Sequence, residues 1–333
     1  MPSEMRRFFA ILAAMIVFGA YAEGPGKTIS IGPSTLIPAR SVTSGSLYLA
    51  ITVDDGSGAR SSDALVWTAS TNTVTGTFKG IAYHAPIGAF VAIGSAGVCA
   101  KTSDGIAWSA CSTLPGAPAN AEYKAIISDG TQLVAVGSPG SNSAGIVATS
   151  SDAMTWTSRT ISSGELEALA WNGAATFAAG GSNAAPRNAY STNGGVTWQG
   201  GVNQPCGYYP TTYSLAYGAG IFVGTQATTA IEYGDGNAYT CVTLSQTVSY
   251  VAFGGGIFCA VPSTGNYSYY SSNATSWTAG SKALVTHKAI IYAGGHFVVV
   301  GQSSKVDVST DCSAWNQVNN ASSKNWIAIA YKP

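Results

Sequence analysis

Apolar residues along this chain come in paired short runs rather than in helical stripes. The first run of each pair is Ile81-Ala82-Tyr83, Ala168-Leu169-Ala170-Trp171, Ser214-Leu215-Ala216-Tyr217, Val251-Ala252-Phe253 or Ile290-Ile291-Tyr292. A Gly-rich turn follows, and then a second run: Phe90-Val91-Ala92-Ile93, Leu133-Val134-Ala135-Val136, Phe222-Val223, Phe258-Cys259-Ala260-Val261 or Phe297-Val298-Val299-Val300. Both runs are apolar at nearly every residue, as expected of strands covered on two faces. The two segments after each pair are more polar and are expected to form third and fourth strands further out. No segment of helix length shows apolar spacing of three and four, so the pattern predicts an all-β chain.

Between the expected third and fourth strands one short phrase keeps returning. It ends in Trp67, Trp108, Trp156, Trp198, Trp277 and Trp315, and a degenerate copy, EYGDGNAYTC, puts Tyr239 where the Trp would stand. Successive marks are 41, 48, 42, 41, 38 and 38 residues apart, the size of four-stranded propeller blades, so the chain contains seven units. The termini agree with this count. Trp326-Ile327-Ala328-Ile329-Ala330-Tyr331 is a first strand with nothing after it, and Leu47-Tyr48-Leu49-Ala50-Ile51 is a second strand with nothing before it. Joined, they complete one blade, a closure that leaves only short, protected edges. The expected fold is a seven-bladed β-propeller of four-stranded blades over residues 44–333, closed by pairing the C-terminal strand into the first blade.

The phrase has the form Ser/Thr-Ser/Thr-Asp/Asn-x-x-x-Trp. Its Asp or Asn, at Asp63, Asp104, Asp152, Asn193, Asn273 and Asp311, is expected to adopt the special turn conformation and to bond backbone amides there. Its Trp supplies an apolar body to pack between blades and a ring N–H that needs a partner. The copies resemble Asp-box repeats, also called bacterial neuraminidase repeats, whose fuller form Ser-x-Asp-x-Gly-x-Thr-Trp is matched by Ser191-Thr192-Asn193-Gly194-Gly195-Val196-Thr197-Trp198. The resemblance covers almost all of residues 44–331. It implies the propeller fold, with the motif on the blade periphery away from any active site.

Composition changes the picture at the surface. Charged residues make up only 9% of the chain against about 25% in an ordinary domain, so the surface is built from Ser, Thr, Asn, Gly and backbone. Lys plus Arg and Asp plus Glu are equal at 15 each, which gives no basic field for nucleic acid. The N-terminus runs from MPSEMRR through FFAILAAMIVFGA to Ala20-Tyr21-Ala22, the form of a secretory signal peptide over residues 1–22. The apolar run is short for a stable membrane span. Residues 23–43 then form an arm or linker. A retained N-terminal segment is the alternative, with residues 23–43 docking the propeller into a larger complex.

The cysteines suit an oxidising compartment. Cys99 and Cys111 flank the turn at Asp104-Gly105 almost symmetrically and would face each other on a hairpin. Cys206 with Cys241 is the second candidate pair, and Cys259 and Cys312 are taken as free and buried.

A sialidase-like activity, which the resemblance invites, implies converging arginines together with a Tyr and a Glu. Only Arg40, Arg60, Arg159 and Arg187 follow the leader, at positions that do not converge. A general glycosidase needs two carboxyl groups about 5 to 9 Å apart on a cleft. Glu165, Glu167 and Glu232 are the carboxylates outside the phrase considered for this, and each is taken as a solvated loop charge. His84, His287 and His296 have no metal-ligand spacing, so neither a metal nor a cofactor is expected.

The departure from the repeat that carries chemistry is aromatic. An enlarged connection between blades four and five, GGVNQPCGYYPTTY, groups Tyr208, Tyr209 and Tyr213, and the third strand of blade six brings Tyr267, Tyr269 and Tyr270. Connections between blades emerge on the same face of a propeller as turns between second and third strands. A Tyr-rich patch on that face suits a glycan or protein surface. Three functions follow in order of expectation. The first is a non-catalytic exported binding propeller, secreted, periplasmic or on the cell surface. The second is a structural or receptor-binding component of a virion or cell-surface assembly. The third is a secreted glycoside hydrolase.

Overall fold

The computed structural model describes residues 45–333 apart from 53–56, 141–144, 162, 183–186, 203–210, 227, 266, 282–285 and 319–323. The expected leader over 1–22 and the arm over 23–43 lie outside the described residues. Seven four-stranded antiparallel sheets form the blades. The innermost strands are Phe78–His84, Glu122–Ser128, Glu165–Trp171, Thr212–Gly218, Tyr250–Gly254, His287–Ala293 and Trp326–Lys332. Each packs against the next, and the last returns to the first, so the ring is closed.

Closure follows the expected route. Trp326–Lys332 pairs antiparallel with Leu47–Thr52, setting Tyr331 opposite Tyr48 and Ile329 opposite Ala50. Gly58–Ser61 and Thr68–Ser70 complete that blade. The Tyr48 hydroxyl donates to the Ala293 carbonyl oxygen at 2.9 Å, tying the composite blade to blade seven.

The apolar runs are buried because each blade sandwiches them between neighbours. One large side chain of each second strand, Tyr48, Phe90, Leu133, Phe177, Phe222, Phe258 or Phe297, is at most 2% exposed. The fourth strands carry the polar surface. The third strands, expected outside, are polar in sequence yet mostly buried, because the neighbouring blades pack against them: Ala148 lies in a cluster with Val91 and Cys99 of one blade and Val147 in a cluster with Leu166 and Phe177 of the next. Blades are also joined by polar staples. The buried His84 ring sits 2.8 Å from Ser128 Oγ through Nδ1 and 3.0 Å from the Ser151 carbonyl through Nε2.

The recurring phrase forms the turn between third and fourth strands. Asp63 Oδ1 accepts from the backbone amides of Leu65 at 2.8 Å and Val66 at 2.9 Å, and Trp67 Nε1 donates to the Ala64 carbonyl at 2.9 Å. Asp104, Asp152, Asn273 and Asp311 accept two amides in the same way, whereas Asn193 accepts the Thr197 amide. Ring N–H partners follow for Trp156, Trp198 and Trp277 on the turn itself, and for Trp108 and Trp315 on a serine of the preceding blade. One expectation is corrected. The left-handed backbone falls not on the Asp or Asn but on a residue just after it: Ala64, Gly105, Ala153, Gly194, Gly195, Ala274 and Cys312 all have φ between 60° and 79°. A small side chain limits the steric cost there, and the carboxylate or amide satisfies the amides that the reversal exposes.

Burial works against ionisation of Asp63, but the amides of Val66 and Leu65 and the Ser61 hydroxyl outweigh it and hold the carboxyl below its ordinary value. Asp63→Ala is therefore expected to cost about 1 kcal/mol, as loss of a cap does. Asp63→Asn should cost much less, since Asn already fills this role at position 273. Denaturant midpoints of the two variants check the difference.

Cys99 and Cys111 are bonded, with Cα atoms 5.1 Å apart, as the hairpin symmetry implies. Cys259 and Cys312, expected to be free, form a second disulfide with Cα atoms 5.7 Å apart. Cys312 occupies the left-handed turn position of blade seven, and that turn lies against the second strand of blade six, where Cys259 sits. The link thus crosses a blade boundary. Cys241 is also disulfide-bonded; Cys206, its expected partner, lies outside the described residues.

Candidate functional site

Inner strands enter the ring on the face reached by the inter-blade connections, and there most of them depart from regular pairing. In six of the seven strands one extra residue interrupts the register with the second strand: Lys79, Lys124, Glu167, Tyr213, Lys288 and Ile327. A bulge of this kind re-aims a side chain. All six extra residues line one cleft at the mouth of the central channel, with a volume of about 190 Å³.

The next residue inward is small in six blades, namely Gly80, Ala125, Ala168, Ser214, Ala289 and Ala328. Blade six places Tyr250 in the cleft instead. Burial, reinforced by the neighbouring Tyr213 phenol, pushes the Tyr250 hydroxyl up to about 12, so it remains a neutral donor. One layer deeper the wall is aliphatic: Ile81, Ile126, Leu169, Leu215, Ile290 and Ile329, each 6–8% exposed.

Charges at the mouth are partly paired. Lys79 Nζ lies 3.1 Å from Glu122 Oε1, and Lys124 donates to Glu167 Oε1. Burial alone would raise the Glu122 pKa, yet the hydrogen bond and charge of Lys79, with Lys124 behind, hold it below its ordinary value. Lys288 has no ion pair among the described residues. Among the described residues, Lys79, Lys124, Lys288 and Glu167 are the charged side chains that line the cleft, with Glu122 beside it on Lys79.

The tyrosines expected to form a patch take different places. Tyr208 and Tyr209 lie outside the described residues. Tyr213 is 46% exposed and lines the cleft; Tyr267 is 49% exposed but stands outside it. Tyr269 is buried, with its hydroxyl against Ser245 Oγ and its ring in the core with Val251 and Phe258. It is therefore a packing residue at the blade interface, as alternation along the strand would place it.

The three glutamates taken as solvated are not. Glu165 is buried, Glu167 is engaged by Lys124, and Glu232 is completely buried. The Thr212 hydroxyl donates to Glu232 Oε1 and Gln226 Nε2 donates to Oε2, both at 2.8 Å. Burial outweighs these two donors and raises its carboxyl to about 7. His287 is likewise buried, 3.0 Å from Asp307 Oδ2 through Nε2 and 3.0 Å from the Pro262 carbonyl through Nδ1. His296 Nδ1 meets the Gly294 carbonyl of its own turn at 3.0 Å. Among the described residues, no group of three or more His, Cys, Asp or Glu could hold a metal ion, and no helix is long and apolar enough to cross a membrane. No arginine among the described residues lines the cleft.

The chain is a seven-bladed β-propeller whose channel opens into a mixed lysine, tyrosine and aliphatic mouth on one face. Solved structures with the same fold include YCF48 bound to a D1 peptide, with a TM-score of 0.57, 15% identity, and 74% of this chain and 82% of that chain covered. Virginiamycin B lyase from Staphylococcus aureus has a TM-score of 0.60 at 14% identity, covering 73% of this chain and 84% of the lyase. A Nidogen/Laminin complex has a TM-score of 0.50 at 12% identity, with 86% and 98% covered. At these identities the likeness is one of fold. No protein-family model matches the chain, and no curated protein matches it in sequence.

Proposed function

We propose that this chain is an exported, non-catalytic β-propeller that binds a protein partner through the face where its channel mouth and inter-blade connections lie. The observation that carries the reading is the ring of bulged residues, which costs regular pairing in six blades and turns lysine, glutamate and tyrosine side chains into one cleft. Two similar structures hold a partner, a D1 peptide in one and a Nidogen/Laminin complex in the other. A third is a lyase, so the fold itself accommodates catalysis. Against catalysis here, Glu167, the carboxylate that lines the cleft among the described residues, and Glu122 beside it are each engaged by a lysine. Export is supported by the leader-like N-terminus and by the disulfides. The recurring turn, in this reading, is of the Asp-box type and serves the fold.

Photocrosslinking separates the two faces. A photoreactive phenylalanine analogue at Tyr213 or Tyr267 is expected to trap partner in extracts of the native source. The same analogue at Val66 or Ile106, both exposed in third-to-fourth-strand turns on the opposite face, should not. Adducts from the turn positions and none from the tyrosines would reject the assignment.

A further inference from the structure

The described residues of the channel mouth combine a cation outside their ion pairs, two phenols and an aliphatic floor, and each constrains what can enter. Lys288 reaches the cleft half-buried and without an ion pair among the described residues, while its neighbours Lys79 and Lys124 are engaged by Glu122 and Glu167. A partly desolvated ammonium of this kind favours an anion that can accept charge-assisted hydrogen bonds. About 190 Å³ is below the roughly 300–1,000 Å³ of pockets that enclose a drug-sized molecule, so the cleft suits the end of a chain. Below the rim, the aliphatic layer has no side-chain hydrogen-bond donors or acceptors. A sugar ring there would leave its hydroxyls unsatisfied, whereas an alkyl or phenyl side chain would lose only water contacts.

The geometry points to a binding site for the carboxyl-terminal end of a peptide. Lys288 takes the terminal carboxylate, the last side chain enters the aliphatic well, and Tyr213 and Tyr250 flank it with their rings and hydroxyls. The extra bulk of Tyr250, where six blades have Gly, Ala or Ser, narrows the channel on one side and makes the well asymmetric. This inference rests on the reading of this face as the binding face and adds the chemistry of what binds there.

Two hexapeptide libraries of the same random composition, one with free carboxyl termini and one amidated, test it against the full-length protein. The expected result is retention of free-acid peptides ending in Leu, Ile, Val or Phe, with the amidated form of each binder at least tenfold weaker by fluorescence anisotropy. Lys288→Gln should erase that preference, and Lys288→Arg should preserve it. Equal binding of acid and amide forms, or a preference that survives Lys288→Gln, would overturn the proposal. So would Lys288-dependent binding of uronic or sialic acid glycans without peptide binding, which would make the ligand an acidic sugar. Retention of neither library would also overturn it, and the crosslinking at Tyr213 and Tyr267 would still decide whether this is the binding face.

Discussion

Trp326→Ala is expected to remove about 3–5 kcal/mol of stability and to loosen the closure of the ring before the rest of the fold. Trp326 begins the strand that completes the first blade, is fully buried, and lies with its ring centroid 5.5 Å from that of Trp67. It packs in one cluster with Tyr48 of the composite blade and Val298 and Val300 of blade seven. Its removal therefore empties space on both sides of the junction between the chain ends. Total domain stability is typically about 5–15 kcal/mol, so the loss is a large share. Hydrogen exchange should show protection falling first over Trp326–Lys332 and Leu47–Thr52. Trp326→Phe offers a control: its Nε1 has no hydrogen-bond partner among the described residues, so the ring can shrink without orphaning an acceptor. That variant should cost about 1 kcal/mol, in keeping with a modest change of core volume. If Trp326→Ala unfolds as the parent does, the closure is held by its backbone ladder rather than by this side chain.

What the sequence reveals and what it hides divide along physical lines. Blade number, blade order and closure are legible because burial on both faces forces the first and second strands to be apolar throughout, and seven repetitions raise that pattern above accident. Trp67, Trp108 and their equivalents mark the period because the turn needs both an acceptor and an apolar cover. The channel mouth is not legible. Lys79, Lys124 and Lys288 stand at strand starts where a lysine ordinarily faces water, and only the register with the second strand turns them inward. Pairing register is a property of two strands, so a run of letters in one does not disclose it. Cys99 with Cys111 can be read from local symmetry about a turn, whereas Cys259 with Cys312 crosses between blades at a sequence separation of 53 and has no such symmetry. Glu232 misleads for a related reason. Its neighbours in EYGDG suggest a surface turn, yet it pairs with Gly224 opposite, whose lack of a side chain leaves room for the carboxyl inside the blade.

Glu232 also gives the protein a stability that depends on pH. Its carboxyl ionises at about 7 in the folded chain against 4.5 as an ordinary glutamate. Between those values the folded state keeps a proton that the unfolded chain has released. Stability from this group is therefore complete below about pH 4.5, falls as pH rises, and is lost above about pH 7, with a total change on the order of 3 kcal/mol. Glu232→Gln removes the titration while keeping the size of the side chain. Relative to the parent, the variant should gain stability steadily from pH 4.5 to pH 7 and no further above it, a comparison in which histidines and other shared groups cancel. Urea denaturation of both proteins at half-unit steps of pH measures the difference, and parallel curves would mean that Glu232 is already ionised at pH 5. The consequence reaches the mouth of the channel. Thr212, whose hydroxyl donates to Glu232, is followed directly by Tyr213 in the bulge that lines the cleft. Ionisation near pH 7 thus puts a buried negative charge behind the wall of the cleft, one residue from a side chain that lines it.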